Sequence, residues 1–212
     1  MKILQVISSV SMNAGGPPKA ALEFSRELLR QGHQIDIFTT NVDTDHDWDV
    51  PFGTPVEHDG AIVYFHPVGW PRQWAFSSSL ARALWREAGN YDLIYVYSVY
   101  MFPSAIAEYI CRIKKIPYVV QPHGSLDPYI YQRHRGRKWW YEKFIEWPNL
   151  NRAAALHFTT EDEMNLVKPL GLKAPTFVAP YGLFDKDYHD LQKGYFRAEH
   201  SISSNKKIIL FM

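Results

Sequence analysis

What most constrains this chain is an alternation: short apolar runs recur from Lys2 to Ala179 with longer helical patterns between them. KILQVIS, Lys2–Ser8, reads as a buried strand. Pro17–Gln31 reads as a helix, with Ala21, Phe24, Leu28 and Leu29 at helical spacing and Gly32 placed to stop it. Gln34–Thr39 is a second strand, and Ala61–His66 a third beyond an acidic loop. Ser77–Gly89 is a helix opened by serines, which cap well. Asp92–Tyr97 is the next strand, and Pro103 suits the first turn of the following helix. Tyr118–Gln121, Ala155–Thr159 and Thr176–Ala179 complete the series, with a helix over Lys138–Trp147 and another opened by Thr160 and Glu163 as a capping-box pair. The order predicts an α/β fold: a Rossmann-like, mostly parallel seven-stranded sheet with helices on both faces.

At 212 residues the chain is long enough for one well-buried domain and slightly long for a single one. Pro180–Asn205 is polar with little periodicity, and KKIILFM then reads as a new apolar strand. The expected organisation is a lobe over 1–183, a linker over 184–205, and at 206–212 the first strand of a second lobe that the chain cuts short. A net charge of +1 gives no reason to expect a nucleic-acid partner. The single cysteine, Cys111, rules out an internal disulfide and reads as a small buried thiol. The N-terminus lacks a signal peptide's length and cleavage site, and no apolar run approaches the ~18 residues of a spanning helix. A cytoplasmic location, or the inner face of a membrane, is the expectation.

In open α/β sheets, ligands bind beyond the carboxyl ends of the strands. Gly15-Gly16 lies there, where backbone can approach a ligand and the next helix offers free N–H groups. Pro17 and Pro18 lack N–H groups, so the donors come from the glycines, Ala14 and Lys19. A glycine pair alone fits a tight turn with close helix–strand packing equally well. The loop is not G-x-G-x-x-G, and the second strand ends in Thr39-Thr40-Asn41 rather than in an acid that would hold a ribose. No GK[ST] follows the glycines, so NAD chemistry and ATP hydrolysis both lose ground. His123, in QPHGSLDP, follows a strand and precedes Gly124. Its ring can project into the crevice and either donate a hydrogen bond or titrate.

Other stretches have two readings. DTDHDWD, 43–49, starts like a calcium loop, but Trp48 replaces the obligatory glycine and Thr54 the final glutamate, so a solvated loop is favoured and no metal is expected. In YIYQRHRGRKWWYEKFIEW, basic and aromatic residues together suit a membrane surface or a lipid-phosphate acceptor. Packing is favoured instead: Lys138 and Glu142 form an ordinary helical pair, and Trp140, Phe144 and Trp147 make a stripe that packs on the sheet. The basic cluster at 133–138 is then left facing the cleft. GWPRQWAF, 69–76, offers aromatics that could stack on acceptor sugars.

GGPPKAALEFSRELLRQGHQIDIFTT, YVVQPHGSLDP and LHFTTEDEMNLVKPLGLKAPTFVAPYGL, in that order and spacing, resemble the N-terminal half of retaining glycosyltransferases of family 4. These are two-lobed GT-B enzymes that use nucleotide sugars. The resemblance covers 1 to about 183 and 206–212, where KKIILFM resembles the first strand of the C-terminal lobe. It departs at Tyr181, where the family usually has Asn. It implies a transferase moving a sugar, with retention, from a UDP- or GDP-linked donor to a saccharide or lipid-linked acceptor. It further implies a missing C-terminal lobe that holds most of the donor, and no cofactor beyond that substrate.

By the same resemblance Gly15 and Gly16 lie near the donor diphosphate and His123 near the transferring sugar. Lys19, Gly124, Ser125, Asp127, Arg135, Lys138 and Glu161 are candidates for acceptor or sugar contact. Expected partners are the nucleotide sugar, the acceptor, the second lobe and a peripheral membrane surface. A non-catalytic acceptor-binding subunit and half of a nucleotide-sugar epimerase are the alternative readings.

Overall fold

The structure is a computed structural model that describes residues 1–44, 46–127, 139–182 and 193–209. Strands β1 (Lys2–Val6), β2 (Gln34–Thr40), β3 (Pro55–His58), β4 (Ala61–His66), β5 (Leu93–Tyr97), β6 (Tyr118–Gln121), β7 (Ala155–Phe158) and β8 (Thr176–Val178) form one sheet of order β3-β4-β2-β1-β5-β6-β7-β8. All neighbours run parallel except β3, which pairs antiparallel with β4. The expected seven-stranded sheet therefore has an eighth member. β3 is four residues long at an edge, begins with Pro55 and has half its side chains exposed, so it carries little of the apolar signal of a buried strand.

Two-residue periodicity explains the layering. On β1, Leu4 and Val6 join the core on one side, while Ile3, with Ile7 just past the strand, joins the core on the other. Helices α2 (Ser78–Glu87), α3 (Phe102–Lys114) and α4 (139–150) cover the first face through Leu80, Leu84, Ile110 and Leu150. Helix α1 (Gly16–Arg30) covers the second through Ala21 and Leu22. Helix α5 (Glu161–Val167) starts just after β7. The middle of α4, Glu142–Glu146, is a wider π-helical stretch.

Helix α4 corrects one expectation. Trp140 is 63% exposed and Phe144 58% exposed, their rings stacked at 5.3 Å, and only Trp147 of the stripe is packed against the core. The face turned inward carries Glu142, Glu146, Asn149 and Leu150 instead. The cause is polar anchoring. Tyr100, in the left-handed region at φ 64°, donates its N–H to Glu146 (3.3 Å) and its hydroxyl to Glu142 (3.2 Å), while the Trp74 indole donates to its carbonyl (2.9 Å). These bonds fix the helix by its glutamates, and the aromatics point away.

The chain divides into two units, Met1–Tyr181 and Gly182–Met212. In the second, the described residues contain a short helix, α6 (Tyr195–Glu199), whose Arg197 guanidinium donates to the carbonyls of Ser203 and Lys206. Residues 206–209 of the expected strand pair with no strand among the described residues, and 210–212 lie outside them.

Candidate functional site

Strand order reverses between β1 and β5, since the chain adds β2, β3 and β4 on one side of β1 and all later strands on the other. Outside the strand ends near this switch point lies a cleft of about 490 Å³. The start of α1 (Gly16, Pro17), the turn after β6 (His123, Gly124, Leu126, Asp127) and the β7–α5 junction from Thr159 onward line it, with Tyr181.

Gly15 precedes α1 at φ 97°, ψ −151°, a region that essentially only glycine enters. Gly16 has nothing within 4 Å of where a Cβ would stand, so its cleft-facing side is open for a ligand. The two glycines therefore do different work. Gly15→Ala is expected to cost about 1–3 kcal/mol of unfolding free energy. Gly16→Ala is expected to stay within about 0.5 kcal/mol of the parent, since it meets no atom and improves helix propensity. Urea unfolding of the two variants checks the difference.

His123 has φ 53°, a strained conformation for a residue with a side chain. Its ring stacks on the fully buried Tyr97 (5.5 Å between centroids) and on Tyr181 (6.0 Å), whose hydroxyl is 2.6 Å from Nδ1. Burial lowers the imidazole pKa to about 4, against an opposing pull from the Glu163 charge, so the ring is neutral at pH 7. Burial also raises the Tyr181 pKa, so its hydroxyl keeps its proton.

Glu163 holds this corner together. One carboxylate oxygen accepts the Gly124 N–H at 2.8 Å; the other accepts the N–H and hydroxyl of Thr159, each at 2.9 Å. Thr160 caps α5 by accepting the Glu163 N–H at 3.1 Å, as the capping-box reading expects. The return bond of that box goes past Thr160 to Thr159 and across to Gly124, tying β7 to the turn after β6. Sequence reasoning gave Glu163 only its helix-capping role. The signal was present: the acid lies three residues beyond a threonine at the end of a strand next to the one that carries His123.

Of the other candidates, Gly124 and Asp127 line the cleft, while Ser125 lies between them in the turn and is not part of the lining. Lys19 points along α1 to Glu23, 3.7 Å away, and Glu161 is exposed on the first turn of α5; neither lines the cleft. Arg135 and Lys138 lie outside the described residues. In the acidic loop, Asp43 accepts from the Ser11 hydroxyl (2.6 Å), the Thr44 N–H (2.6 Å) and the Trp48 indole (2.7 Å), and Asp47 pairs with Arg72 at 2.9 Å. Asp45 is outside the described residues. In the aromatic loop at 69–76, Trp70 is 86% exposed, whereas Trp74 and Phe76 pack on Phe102.

The cleft's charge is one-sided. The charged residues that line it are Asp127, Asp162 and Glu163, and no lysine or arginine lines it among the described residues. Carboxylates and a neutral imidazole suit the hydroxyls of a polyol. Of the backbone donors expected at the start of α1, Ala14 and Gly15 give their N–H groups to the carbonyls of Ser11 (3.0 Å) and Met12 (3.4 Å), and Gly16 but not Gly15 lines the cleft.

A parallel sheet with this switch point, a glycine-led helix start and a histidine turn facing one cleft define a Rossmann-like lobe of the GT-B type. Residues 15–182 match the Glycosyl transferase 4-like domain, and the chain belongs to that family. Among solved structures it is similar to sucrose-phosphate synthase from Thermosynechococcus elongatus, with 16% identity and a TM-score of 0.70 over 96% of this chain and 53% of that one. It is also similar to Alr3699/HepE from Anabaena, solved in complex with UDP and glucose, with 16% identity and a TM-score of 0.63 over 95% of this chain and 50% of that one. The chain thus spans about half the length of the proteins it matches. No curated protein sequence matches it.

Proposed function

We propose that the chain is the acceptor-side lobe of a retaining glycosyltransferase that moves a sugar from a UDP- or GDP-linked donor to a saccharide or lipid-linked acceptor. The observation that carries this reading is the cleft. It joins a neutral His123, the backbone of Gly16 at the start of α1, and carboxylates that fit hydroxyls, with no lysine or arginine lining it among the described residues. Departure of the sugar leaves a diphosphate with extra negative charge and a sugar of oxocarbenium character. The α1 N-terminus stabilises the first without reorganising. The second is oriented by a His123 ring N–H or backbone carbonyl, acting on its hydroxyls. In retaining transfer the departing phosphate takes the acceptor proton, so the lobe needs no strong base, consistent with an imidazole pKa of about 4. Most of the donor's binding energy then comes from a second lobe, and closure of the two excludes water. The solved complex of HepE with UDP and glucose supports a nucleotide-sugar partner.

NMR of histidine-labelled and amide-labelled chain, titrated with UDP-glucose, GDP-mannose, free glucose and NAD, tests it. Nucleotide sugars are expected to shift the His123 ring and Gly16 amide signals with millimolar midpoints, and NAD to leave both unmoved. Micromolar binding of one nucleotide would mean a complete donor site in this lobe and overturn the division of labour. A response to NAD alone would overturn the class of reaction.

A further inference from the structure

The face of the sheet under α1 buries polar side chains where a parallel sheet covered on both sides ordinarily carries Val, Ile and Leu. Gln5 on β1, Tyr95 and Tyr97 on β5, Gln121 on β6 and His157 on β7 are all buried. In the strand register Gln5 stands opposite Tyr95, and Gln121 opposite Tyr97. Polar groups kept from water cost free energy unless they are bonded, so the bonds within such a row carry its meaning. The Tyr95 hydroxyl meets two groups, Nδ1 of His157 and, at 3.1 Å, Oε1 of Gln121. Nε2 of His157 lies 2.7 Å from the Ala179 carbonyl, and the Tyr181 hydroxyl lies 2.6 Å from Nδ1 of His123. Gln121 joins the two pairs. Burial raises the pKa of the Tyr181 hydroxyl, and the Gln121 amide beside it acts against that rise.

Following the protons gives this chain of groups a direction. A carbonyl only accepts, so a neutral His157 keeps its proton on Nε2 and gives it to Ala179. Both imidazoles are neutral above pH 7, because burial lowers each pKa against the pull of the Glu163 charge. Nδ1 of His157 is then a bare acceptor and takes the single proton of Tyr95. The Tyr95 oxygen can therefore only accept from Gln121. With Oε1 turned to Tyr95, two acceptors face each other, and the buried Nε2 has no hydrogen-bond partner of ordinary geometry among the described residues. A half-turn of the amide about its last bond exchanges oxygen and nitrogen in place and relieves both. The amide nitrogen then donates to Tyr95, and the amide oxygen accepts the Tyr181 proton. The Tyr181 oxygen is left to accept from Nδ1 of His123.

We propose that His157, acting through Tyr95, Gln121 and Tyr181, holds the His123 proton on Nδ1 and leaves Nε2 as a hydrogen-bond acceptor. His157 is a positioning residue, since it is not part of the cleft lining and reaches His123 only through the other three. The direction is the reverse of what the last pair would adopt alone, because a phenol ordinarily donates to an imidazole. With Nε2 bare, the ring joins the carboxylates of Asp127 and Asp162 in offering acceptors, so a ligand binds through the protons that it brings. The place of the proton stands on the hydrogen bonds alone. Its use, accepting a sugar hydroxyl, rests on the transferase reading and narrows it: the ring N–H is spent on Tyr181, so Nε2 and the His123 carbonyl are what the sugar meets.

The test is a long-range proton–nitrogen correlation spectrum of the histidine-labelled 212-residue chain at pH 8, which separates the protonated from the bare nitrogen of each ring. The His123 signals are assigned by their loss in His123→Asn, a residue that tolerates the left-handed backbone there. The parent is expected to show His123 with a protonated Nδ1 and a bare Nε2, and that spectrum needs no variant to decide the main point. Tyr95→Phe keeps the ring but cuts the chain beyond Gln121, which frees Tyr181 to donate, and the His123 proton is expected to move to Nε2. Tyr97→Phe is the control. Its ring packs directly on His123, but its buried hydroxyl has no partner among the described residues and lies outside the chain, so the proton is expected to stay on Nδ1. A parent with the proton on Nε2 would overturn the proposal. So would a proton that Tyr95→Phe leaves in place, or one that Tyr97→Phe moves equally. Added UDP-glucose separates this from the transferase reading: a shift at Nε2 with Nδ1–H retained supports both, while an unmoved Nε2 beside a protonated Nδ1 supports the chain and counts against the sugar site.

Discussion

Glu163→Ala is expected to lower the unfolding free energy of the chain by about 3 kcal/mol, or about 8 °C in Tm. The carboxylate accepts three hydrogen bonds from two separate segments, and the alanine leaves the N–H groups of Gly124 and Thr159 without that partner in a half-buried corner. Bonds to an ionised acceptor are stronger than neutral ones, and donors stranded away from water carry most of the cost. Partial exposure of the site lets water recover some of it, which sets the figure below the sum of three. Glu163→Gln has one carbonyl oxygen to serve both ends, so about half the loss is expected. The consequence reaches His123, whose φ of 53° persists only while its neighbours over-determine it. With the Gly124 anchor gone, the turn should relax toward ordinary φ values and the His123 ring should leave its place between Tyr97 and Tyr181. Urea unfolding gives the energy, and the His123 ring shifts give the local response. A loss under about 1 kcal/mol with unmoved ring signals would show that stacking alone holds the turn.

How much of this was legible in the sequence depends on which force placed each residue. The strands of the sheet's interior were readable because both faces are buried and their apolar runs are nearly continuous, as in IYVY at 94–97 and YVV at 118–120. The glycine-led start of α1 and the position of His123 were readable too, because strand-then-helix order fixes which loops share the carboxyl edge. Helix α4 misled for a definite reason. Hydropathy assigns Trp140 and Phe144 inward, but the inward face was decided by hydrogen bonds from Tyr100, forty and more residues earlier in sequence, to Glu142 and Glu146. The wider Glu142–Glu146 turn also departs from the 3.6-residue period that such a reading assumes. Glu163 illustrates the same limit more gently. Its local bond to the α5 cap was visible in sequence, and its long-range bond to Gly124 was not. The stacking of His123 between Tyr97 and Tyr181 joins three different segments, so no single stretch announced it.

The buried acids under α4 make a second large prediction. Burial raises the Glu146 carboxyl pKa to about 7 and pushes that of Glu108 well above the usual carboxylate range; the Glu142 charge adds to the rise at Glu146, and the Glu146 charge to the rise at Glu108. Facing them are Tyr100 and Tyr141, Glu142 on α4, Arg112 on α3, and Asn149, whose amide oxygen accepts from Arg112 at 2.7 Å. In the unfolded chain Glu146 ionises in the ordinary range, while the folded chain keeps its proton until about pH 7. Between those two values the folded state binds the extra proton, so this group's contribution to stability is present at acid pH and is lost as pH rises to neutrality. Three histidines act in the opposite sense. Burial lowers the pKa of His66 and His123 to about 4 and also lowers that of His157, so their contribution grows as pH rises toward the ordinary histidine value. The parent's own pH profile thus mixes opposing contributions, and the difference between parent and Glu146→Gln isolates the acid. Gln keeps the acceptor for the Tyr100 N–H and carries no charge to desolvate. Between pH 5 and pH 8 its stability relative to the parent is expected to improve by about 2 kcal/mol, read from urea midpoints at matched slopes. A difference constant across that range would mean that Glu146 is ionised inside the fold, with Arg112 neutralising it. The inward face of α4 would then be an ion pair rather than a protonated anchor, and Arg112→Met should destabilise the chain more at pH 8 than at pH 5.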